Sequence, residues 1–230
     1  MATPRRIEQI VEDQVRKWEI SGRRRSPEKP PEPVIAISRL PGCDGAAVGL
    51  ELSSSLKLDY FDKGILHQVS KSSEMSEALL KTVDEKVLPT MQDWIKSLFL
   101  RHDLRGAYFI HLSKVLLAIG EHGRAVVLGR GASFILRPET CLRVLLVAPF
   151  EDRARAVAAR EGVPYAEARR RVKEREAQRR AFIRQLFHAV MTDAAHYDLT
   201  VNLSSVGFQG AVAAIEAAWQ ARRKQVIASS

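Results

Sequence analysis

The chain contains little cysteine and no metal-binding histidine motif. Its two cysteines, Cys43 and Cys141, form neither a CxxC pair nor the disulfide framework of a small secreted domain, so we expect both to be reduced thiols. The six histidines include no HExxH motif and no His/Cys cluster, which argues against a zinc site.

Membrane and secretion signals are also missing. No apolar run approaches the roughly 18 residues of a membrane helix, and the N-terminal residues MATPRRIEQ lack the apolar block of a signal peptide. We therefore expect a cytoplasmic protein without a membrane span. With 230 residues, 46% of them apolar, the chain can bury the core of one sizeable α/β domain.

Basic residues outnumber acidic ones, with 36 Lys and Arg against 27 Asp and Glu and a formal net charge of +9. Such a balance favours an anionic partner, and nucleotides, nucleic acid and acidic lipids all qualify. Aromatic residues make up only 7% of the chain and do not alternate with the arginines, so base stacking has no visible platform. This disfavours nucleic acid, and the distribution of the basic residues must choose among the other anions.

The first 32 residues differ from the rest. Helical periodicity places Ile7, Ile10, Val11, Val15 and Trp18 on one face, and a proline-rich stretch from Ser21 to Pro33 reads as an extended linker. We predict an N-terminal helical arm and linker at residues 1–32, followed by a domain at residues 33–230. The apolar face can pack on its own domain or on a second subunit as a homodimer, with equal weight, and membrane-surface binding ranks third.

From Val34 onward, short apolar runs alternate with longer helical stretches. Because the runs are continuous rather than alternating, they predict strands of a parallel sheet covered by helices on both faces, a three-layer α/β fold. The runs are VIAIS, LDYF, AVVLG, LRVLLVA and LTVNL. Ligands of such sheets bind beyond the carboxyl ends of the strands, so the residues that follow each run are candidate site residues.

Arginines, glycines and an aspartate follow several of these runs. A polyanion site needs both close backbone approach, which glycine allows, and bidentate donors, which arginine supplies. The candidates after the first three strands are Arg39, Gly42, Gly45, Asp62, Gly64, Gly129, Arg130 and Gly131.

The first loop lies in AISRLPGCDGAAVGLELS, residues 36 to 53, and lacks the lysine of the usual GxxxxGK[ST] phosphate loop. Its backbone N–H groups can still surround an anion, and Arg39 or a later arginine can supply the missing charge. The residues expected to bind the phosphates are Gly42, Cys43, Asp44, Gly45, Ala46 and Ala47. For Cys43, an inert thiol is favoured over a redox role.

Ten arginines fall between Phe150 and Arg184. On a helix, Arg171, Arg175 and Arg179 repeat every four residues and form one stripe. The segment can be a solvated helix of mixed charge, or a mobile lid at about residues 150–188 whose arginines close on phosphates.

The order of these segments resembles the cytidylate kinase-like family of the nucleoside monophosphate kinases, which have a P-loop fold. Ser38, Arg39, Gly42 and Gly45 resemble the family's SR and GSGG-like turn. VVLGRGASFIL resembles its GR turn, RVKER its lid, and YDLTVN its closing strand, so the resemblance covers residues 33 to 220 approximately.

This resemblance implies a P-loop kinase-like fold that uses ATP and Mg²⁺ to phosphorylate a nucleoside monophosphate, with a pyrimidine as the expected base. It implies a lid role for Arg175. We also expect catalytic roles for Asp62 and for Arg39 and Arg179, which can supply the charge of the missing lysine, although Arg179 stands where the family pattern has an Asp. The acceptor would bind at Asp62, Gly64, Gly129, Arg130 and Gly131.

The chain also departs from the family pattern. Gly45 stands where cytidylate kinases carry the loop lysine, and the following hydroxyl position falls on Ala46 or Ala47. The DSGxxYR segment keeps only its Asp and Gly, because Lys63 and Gln68 replace the Ser and the terminal Arg. Three hypotheses therefore remain: an active kinase, a non-catalytic nucleotide sensor or scaffold on the same fold, and a nucleic-acid binder using the Arg-rich helix.

Overall fold

The structure is a computed structural model that describes residues 7–24, 31–84, 87–101 and 106–228. Within these ranges five parallel strands form one sheet in the order β2-β3-β1-β4-β5. The strands are β1 (Val34–Arg39), β2 (Asp59–Phe61), β3 (Ala125–Leu128), β4 (Cys141–Val147) and β5 (Leu199–Asn202). The predicted parallel sheet is confirmed.

Helices flank the sheet. They are α1 (Ile7–Arg24), α2 (Gly45–Leu56), α3 (Lys63–Lys71), α4 (Ser73–Leu80), α5 (Leu88–Arg101), α6 (Ala107–His122), α7 (Ala132–Ile135), α8 (Phe150–Glu161), α9 (Tyr165–Phe187) and α10 (Leu203–Ala228). The predicted Arg-rich helical segment corresponds to α8 and α9. None of the helices in the described ranges is long and apolar enough to cross a membrane.

The central strands are buried on both faces, which explains their continuous apolar sequence. Val34 to Ile37 are almost fully buried, as are all four residues of β3. In the register, Ile37 lies beside Leu128 on one side and Val144 on the other. Because parallel strands end at the same edge of a sheet, Arg39, Gly129 and the residues after Val147 lie together at that edge.

The arm packs on its own domain, one of the two arrangements expected for it. Trp18 is 4% exposed, and its ring stacks on His122 with the centroids 4.1 Å apart. Gln14 Nε2 donates to Asp59 Oδ2 at 3.0 Å, and Lys17 pairs with the same carboxylate at the edge strand. The helix is longer than predicted: it continues through Ser21 to Arg24, because Ser-Gly alone does not end a helix that is packed against a core.

Part of the arm prediction cannot be compared with the structure. The side chains of Ile7, Ile10 and Val11, and linker residues 25–30, lie outside the described residues. The division of the chain at residue 32 stays a prediction, although Trp18 belongs to the same buried cluster as the sheet.

Replacing Trp18 with alanine should lower the free energy of unfolding by about 3–5 kcal/mol, the usual range for a large aromatic residue lost from a core. Urea denaturation at equilibrium measures this loss. Ile20→Ala is the matched control, because Ile20 lies on the same helix and is 49% exposed. Equal midpoints for the two variants would mean that the arm does not dock in solution.

Candidate functional site

The first loop connects β1 to α2 and is shaped by a glycine. Gly42 has φ +93°, and a Cβ at this position would lie 2.6 Å from both the Cβ and the carbonyl oxygen of Arg153. Only glycine tolerates this combination. The loop is closed by Cys43 N donating to Leu40 O at 3.2 Å and Gly45 N donating to Cys43 O at 2.6 Å.

Several backbone N–H groups of this loop remain available. Those of Gly42, Asp44, Ala46 and Ala47 have no backbone acceptor in the described part of the chain. They lie before and within the first turn of the 12-residue helix α2, where the helix dipole favours negative charge. The loop can therefore bind phosphate without a lysine.

Arg39 is a partly buried cation that has no carboxylate partner in the described part of the chain. Its stem packs along Gly45, and its Nη1 lies so close to Gly129 that a Cβ there would collide with it. Among the described residues it forms no ion pair. Burial, followed by the charges of Arg179 and Arg130, lowers the pKa of Arg39 to about 10. An anion bound beside Arg39 would favour the charged guanidinium and would thus oppose the effects of burial and of the neighbouring arginines on this pKa.

The two lid arginines predicted to be catalytic have different surroundings. Arg179 Nη1 donates to the carbonyl oxygen of Arg39 at 2.9 Å, and burial lowers the pKa of Arg179. Arg175 instead binds both oxygens of Glu161, at 2.6 and 3.1 Å. The structure thus brings Arg179 to the first loop and holds Arg175 in an ion pair at the α8–α9 turn.

Most other arginines of α9 also have glutamate partners, as the mixed-charge interpretation expected. Hydrogen bonds from Arg175 and Arg171 lower the pKa of Glu161 to about 2. The remaining pairs are Arg169 with Glu151, Arg170 with Glu167 and Glu174, Arg171 with Glu161 and Glu167, and Arg180 with Glu176.

Arg153 fastens the first loop to α9. It is 5% exposed, and its Nε donates to Ala148 O at 2.9 Å while its Nη1 donates to Pro41 O at 3.1 Å. Nη1 also pairs with Glu176 Oε2 at 2.8 Å. The sequence places Arg153 after a strand, but its partners are distant in sequence and no local signal marks it as a structural clamp.

On the other side of the site, Asp62 is the N-cap of α3. Its Oδ1 accepts hydrogen bonds from Gly64 N at 2.7 Å and from Ile65 N at 2.9 Å. A helix cap is thus one role of Asp62. Its Oδ2 has no hydrogen-bond partner among the described residues and remains available to a ligand.

The turn after β3 has an unusual backbone. Gly129, Arg130 and Gly131 have φ values of +80°, +53° and +73°. A non-glycine residue in this region costs roughly 1–2 kcal/mol, so the turn is strained at Arg130. Arg130 forms no ion pair with any described residue, and its Nε reaches Lys63 O only at 3.5 Å. The strained turn therefore directs an unpaired guanidinium towards α3.

Two residues beside Arg130 were not predicted from the sequence. His67 Nδ1 and Tyr108 Oη are 3.3 Å apart, and the charge of Arg130 acts on both. For His67 the sequence does contain a signal, because helical spacing places it one turn after Lys63 and on the same face of α3. Tyr108 comes from α6, and no sequence pattern connects it with α3.

The thiols fit the inert interpretation. Burial raises the pKa of Cys43 to about 11 and that of Cys141 to about 12, so neither is a thiolate at neutral pH. Within the described ranges, no group of three or more His, Cys, Asp and Glu side chains could hold a metal ion. A metal here would need ligands from a bound phosphate and from water.

A cleft of about 220 Å³ lies beside the first loop. Its walls come from the loop, α8 and the start of α10, where the backbone is non-helical at Gly207. They include Gly42, Val48, Ala148, Arg153, Leu203 and Phe208. Gly42, Cys43 and Asp44 of the loop line this cleft, so its apolar walls lie directly beside the loop.

The strand order, with β1 between β3 and β4 and a phosphate-type loop after β1, defines an α/β protein of the P-loop kinase-like class. The chain belongs to the cytidylate kinase-like family, whose sequence model matches residues 34–205. This confirms the resemblance found in the sequence. Helix α1 lies outside the matched residues.

The named relatives are distant. The chain is 26% identical over 183 residues to a cytidylate kinase of Ignicoccus hospitalis, covering 80% of this chain and 96% of that protein. It is 37% identical over 98 residues to a cytidylate kinase of Thermococcus sibiricus, covering 43% of this chain and only half of that relative.

One solved structure supports the fold. An uncharacterized protein from Eubacterium ventriosum is 18% identical, with a TM-score of 0.62 over 82% of this chain and 98% of that one. At this identity the likeness concerns the fold alone.

Proposed function

We propose that the protein is a nucleotide-dependent phosphotransferase that moves the γ-phosphate of ATP to a nucleoside monophosphate, with a pyrimidine as the expected base. Membership of a kinase family supports the reaction class. The observation that carries the proposal is Arg39, a partly buried cation without a counter-ion among the described residues, which lies between the first loop and the Gly129 turn.

Arg39 takes the part of the absent loop lysine in this proposal. Phosphoryl transfer depends mainly on positioning and on neutralising charge, so no protein nucleophile is needed. The free N–H groups of the loop would bind the phosphate chain, while Arg39 and Arg179 would neutralise the phosphoryl group in transfer. Arg130 would bind the acceptor phosphate. Each of these arginines has at least part of its donor set unused.

The residues present fit ATP and Mg²⁺. The cleft beside Gly42 offers apolar walls for a base, and Asp62 keeps one carboxylate oxygen free. Mg²⁺ usually binds one or two carboxylates together with substrate phosphates and several waters, so a single carboxylate is sufficient. When bound, the ion would supply further neutralisation of the phosphate charge.

A non-catalytic nucleotide sensor is the second candidate. Gly45, Ala46 and Ala47 lack the lysine and the hydroxyl that usually serve the terminal phosphates and the metal. This candidate predicts nucleotide binding without turnover and with little dependence on Mg²⁺. The nucleic-acid hypothesis is less favoured here, because four of the α9 arginines it would use, Arg169, Arg170, Arg171 and Arg180, have glutamate partners.

The test is phosphate transfer from ATP with Mg²⁺ to CMP, dCMP, UMP, AMP and GMP, with Arg130→Ala beside the natural chain. Transfer to one acceptor should fall about 10²- to 10³-fold in the variant, as when one charge-stabilising donor is lost. Arg170→Ala is the control, because Arg170 is exposed and pairs only within α9. Binding of ATP with no transfer to any acceptor would favour the sensor.

A further inference from the structure

The acceptor side of the site carries positive charge that nothing in the described chain neutralises. His67 faces Arg130 from the strained turn, Lys71 from its own helix and Tyr108 from α6. Lys63 lies one turn before His67 on the same face of α3. Asp62, at the start of α3, uses its Oδ1 to cap the helix. The charges that act on His67 are those of Arg130 and Lys71, and no carboxylate of the described residues acts on it.

We propose that His67 binds the phosphate of the acceptor in its protonated form, together with Arg130, so that acceptor binding takes up a proton. This rests on the proposed function, because it assigns the acceptor to the Arg130 side of the site. The proposal assigns His67 to acceptor binding, and it predicts a pH dependence of acceptor affinity that the arginines alone would not produce.

The geometry supplies the orientation that this role needs. The hydrogen bond between His67 Nδ1 and Tyr108 Oη fixes the imidazole ring. When both ring nitrogens carry protons, Nδ1–H donates to Tyr108 and Nε2–H is left for a phosphate oxygen. A charge-assisted hydrogen bond of this kind is roughly twice as strong as a neutral one.

The electrostatics give the direction of the coupling. Partial burial, then Arg130 and Lys71, lower the pKa of His67, so the ring is mainly neutral in the free protein at pH 7. A bound dianion favours the imidazolium and raises that pKa. The contribution of His67 to binding is thus complete below the pKa of the free protein. It is lost as pH rises through the higher pKa of the complex.

The first measurement is the pKa of His67 itself, by NMR titration of its imidazole Cε1–H signal with and without saturating CMP, then dCMP, UMP, AMP and GMP. His67→Gln assigns the signal. We expect the pKa to rise when the acceptor binds. Lys71→Gln, which removes one cation facing the ring, should raise the pKa of His67 in the free protein.

The second measurement is the Kd of the same monophosphates for the natural chain and for His67→Gln. The ratio of the two constants should grow about tenfold between pH 8.5 and pH 5.5, which corresponds to one pKa unit of linkage. The ionisation of the nucleotide phosphate is common to both proteins and cancels in this ratio. An unchanged thermal midpoint shows that the variant is folded.

The outcomes separate this inference from the proposed function. Phosphate transfer with an unchanged His67 pKa would overturn the role of His67 and keep the kinase. A raised pKa without transfer would support the His67 site and overturn the kinase. If none of the five monophosphates binds, both are overturned.

Discussion

Replacing Arg39 with methionine should reduce phosphate transfer about 10²- to 10³-fold, because in the proposed reaction this cation would face the transferred group. The same change should not lower thermal stability and should raise it. Methionine keeps the apolar stem that packs along Gly45, while the cost of burying an uncompensated charge disappears. Activity and stability are thus expected to change in opposite directions.

Initial rates at saturating ATP and a thermal melt of the free protein measure the two effects. Arg39→Lys should recover part of the rate, because it restores the charge without the planar donor set. Arg180→Met is the control, since Arg180 lies on α9 next to Arg179 but is exposed and paired with Glu176. Full activity in Arg39→Met would show that a residue other than Arg39 supplies the positive charge at the first loop.

The second large effect concerns the clamp between the first loop and α9. Arg153→Met should lower the free energy of unfolding by about 3–5 kcal/mol, the range for breaking a buried ion pair by removing one partner. Glu176, 14% exposed, would be left without its buried partner, and the carbonyls of Pro41 and Ala148 would lose a donor. The affinity for ATP should also fall, since Gly42 packs directly against Arg153.

A double-mutant cycle with Glu176→Met separates the pair from the carbonyl contacts. The double variant should be more stable than Arg153→Met, because the mostly buried carboxylate of Glu176 is then removed instead of being left with the exposed Arg180 as its partner. Arg155→Met is the matched control two residues away, where the guanidinium is exposed and pairs with Asp152 on the same helix. Urea denaturation gives the four free energies, and strictly additive losses would contradict a direct pair.

Structural features that depend on the local pattern of apolar and charged residues could be predicted from the sequence. The strands of the parallel sheet are continuous apolar runs, and burial on both faces is what requires such runs. The placement of Arg39, Asp62 and Arg130 at one edge then followed from the geometry of parallel strands. The Arg-rich helical segment followed from its helical spacing in the same way.

Features that depend on contacts distant in sequence could not be predicted. A stripe of arginines on a helix shows which side chains share a face, but it does not show that Glu161 holds Arg175 while Arg179 reaches the carbonyl of Arg39. The neighbourhood of His67 likewise depends on α6 and on the turn after β3. The clamp at Arg153 joins three segments of the chain, and the sequence of each one does not predict its contacts with the other two.

The docking of Trp18 has a consequence for how the chain is made. A ribosome releases the arm first, but His122, on which Trp18 stacks, is synthesised only about a hundred residues later, a delay of several seconds or more at ordinary elongation rates. During that interval the indole ring of Trp18 lacks the ring on which it stacks in the folded protein. Synthesis of the chain thus exposes, before His122 is made, a surface that chaperones can bind, and the arm packs on the domain only after α6 has emerged.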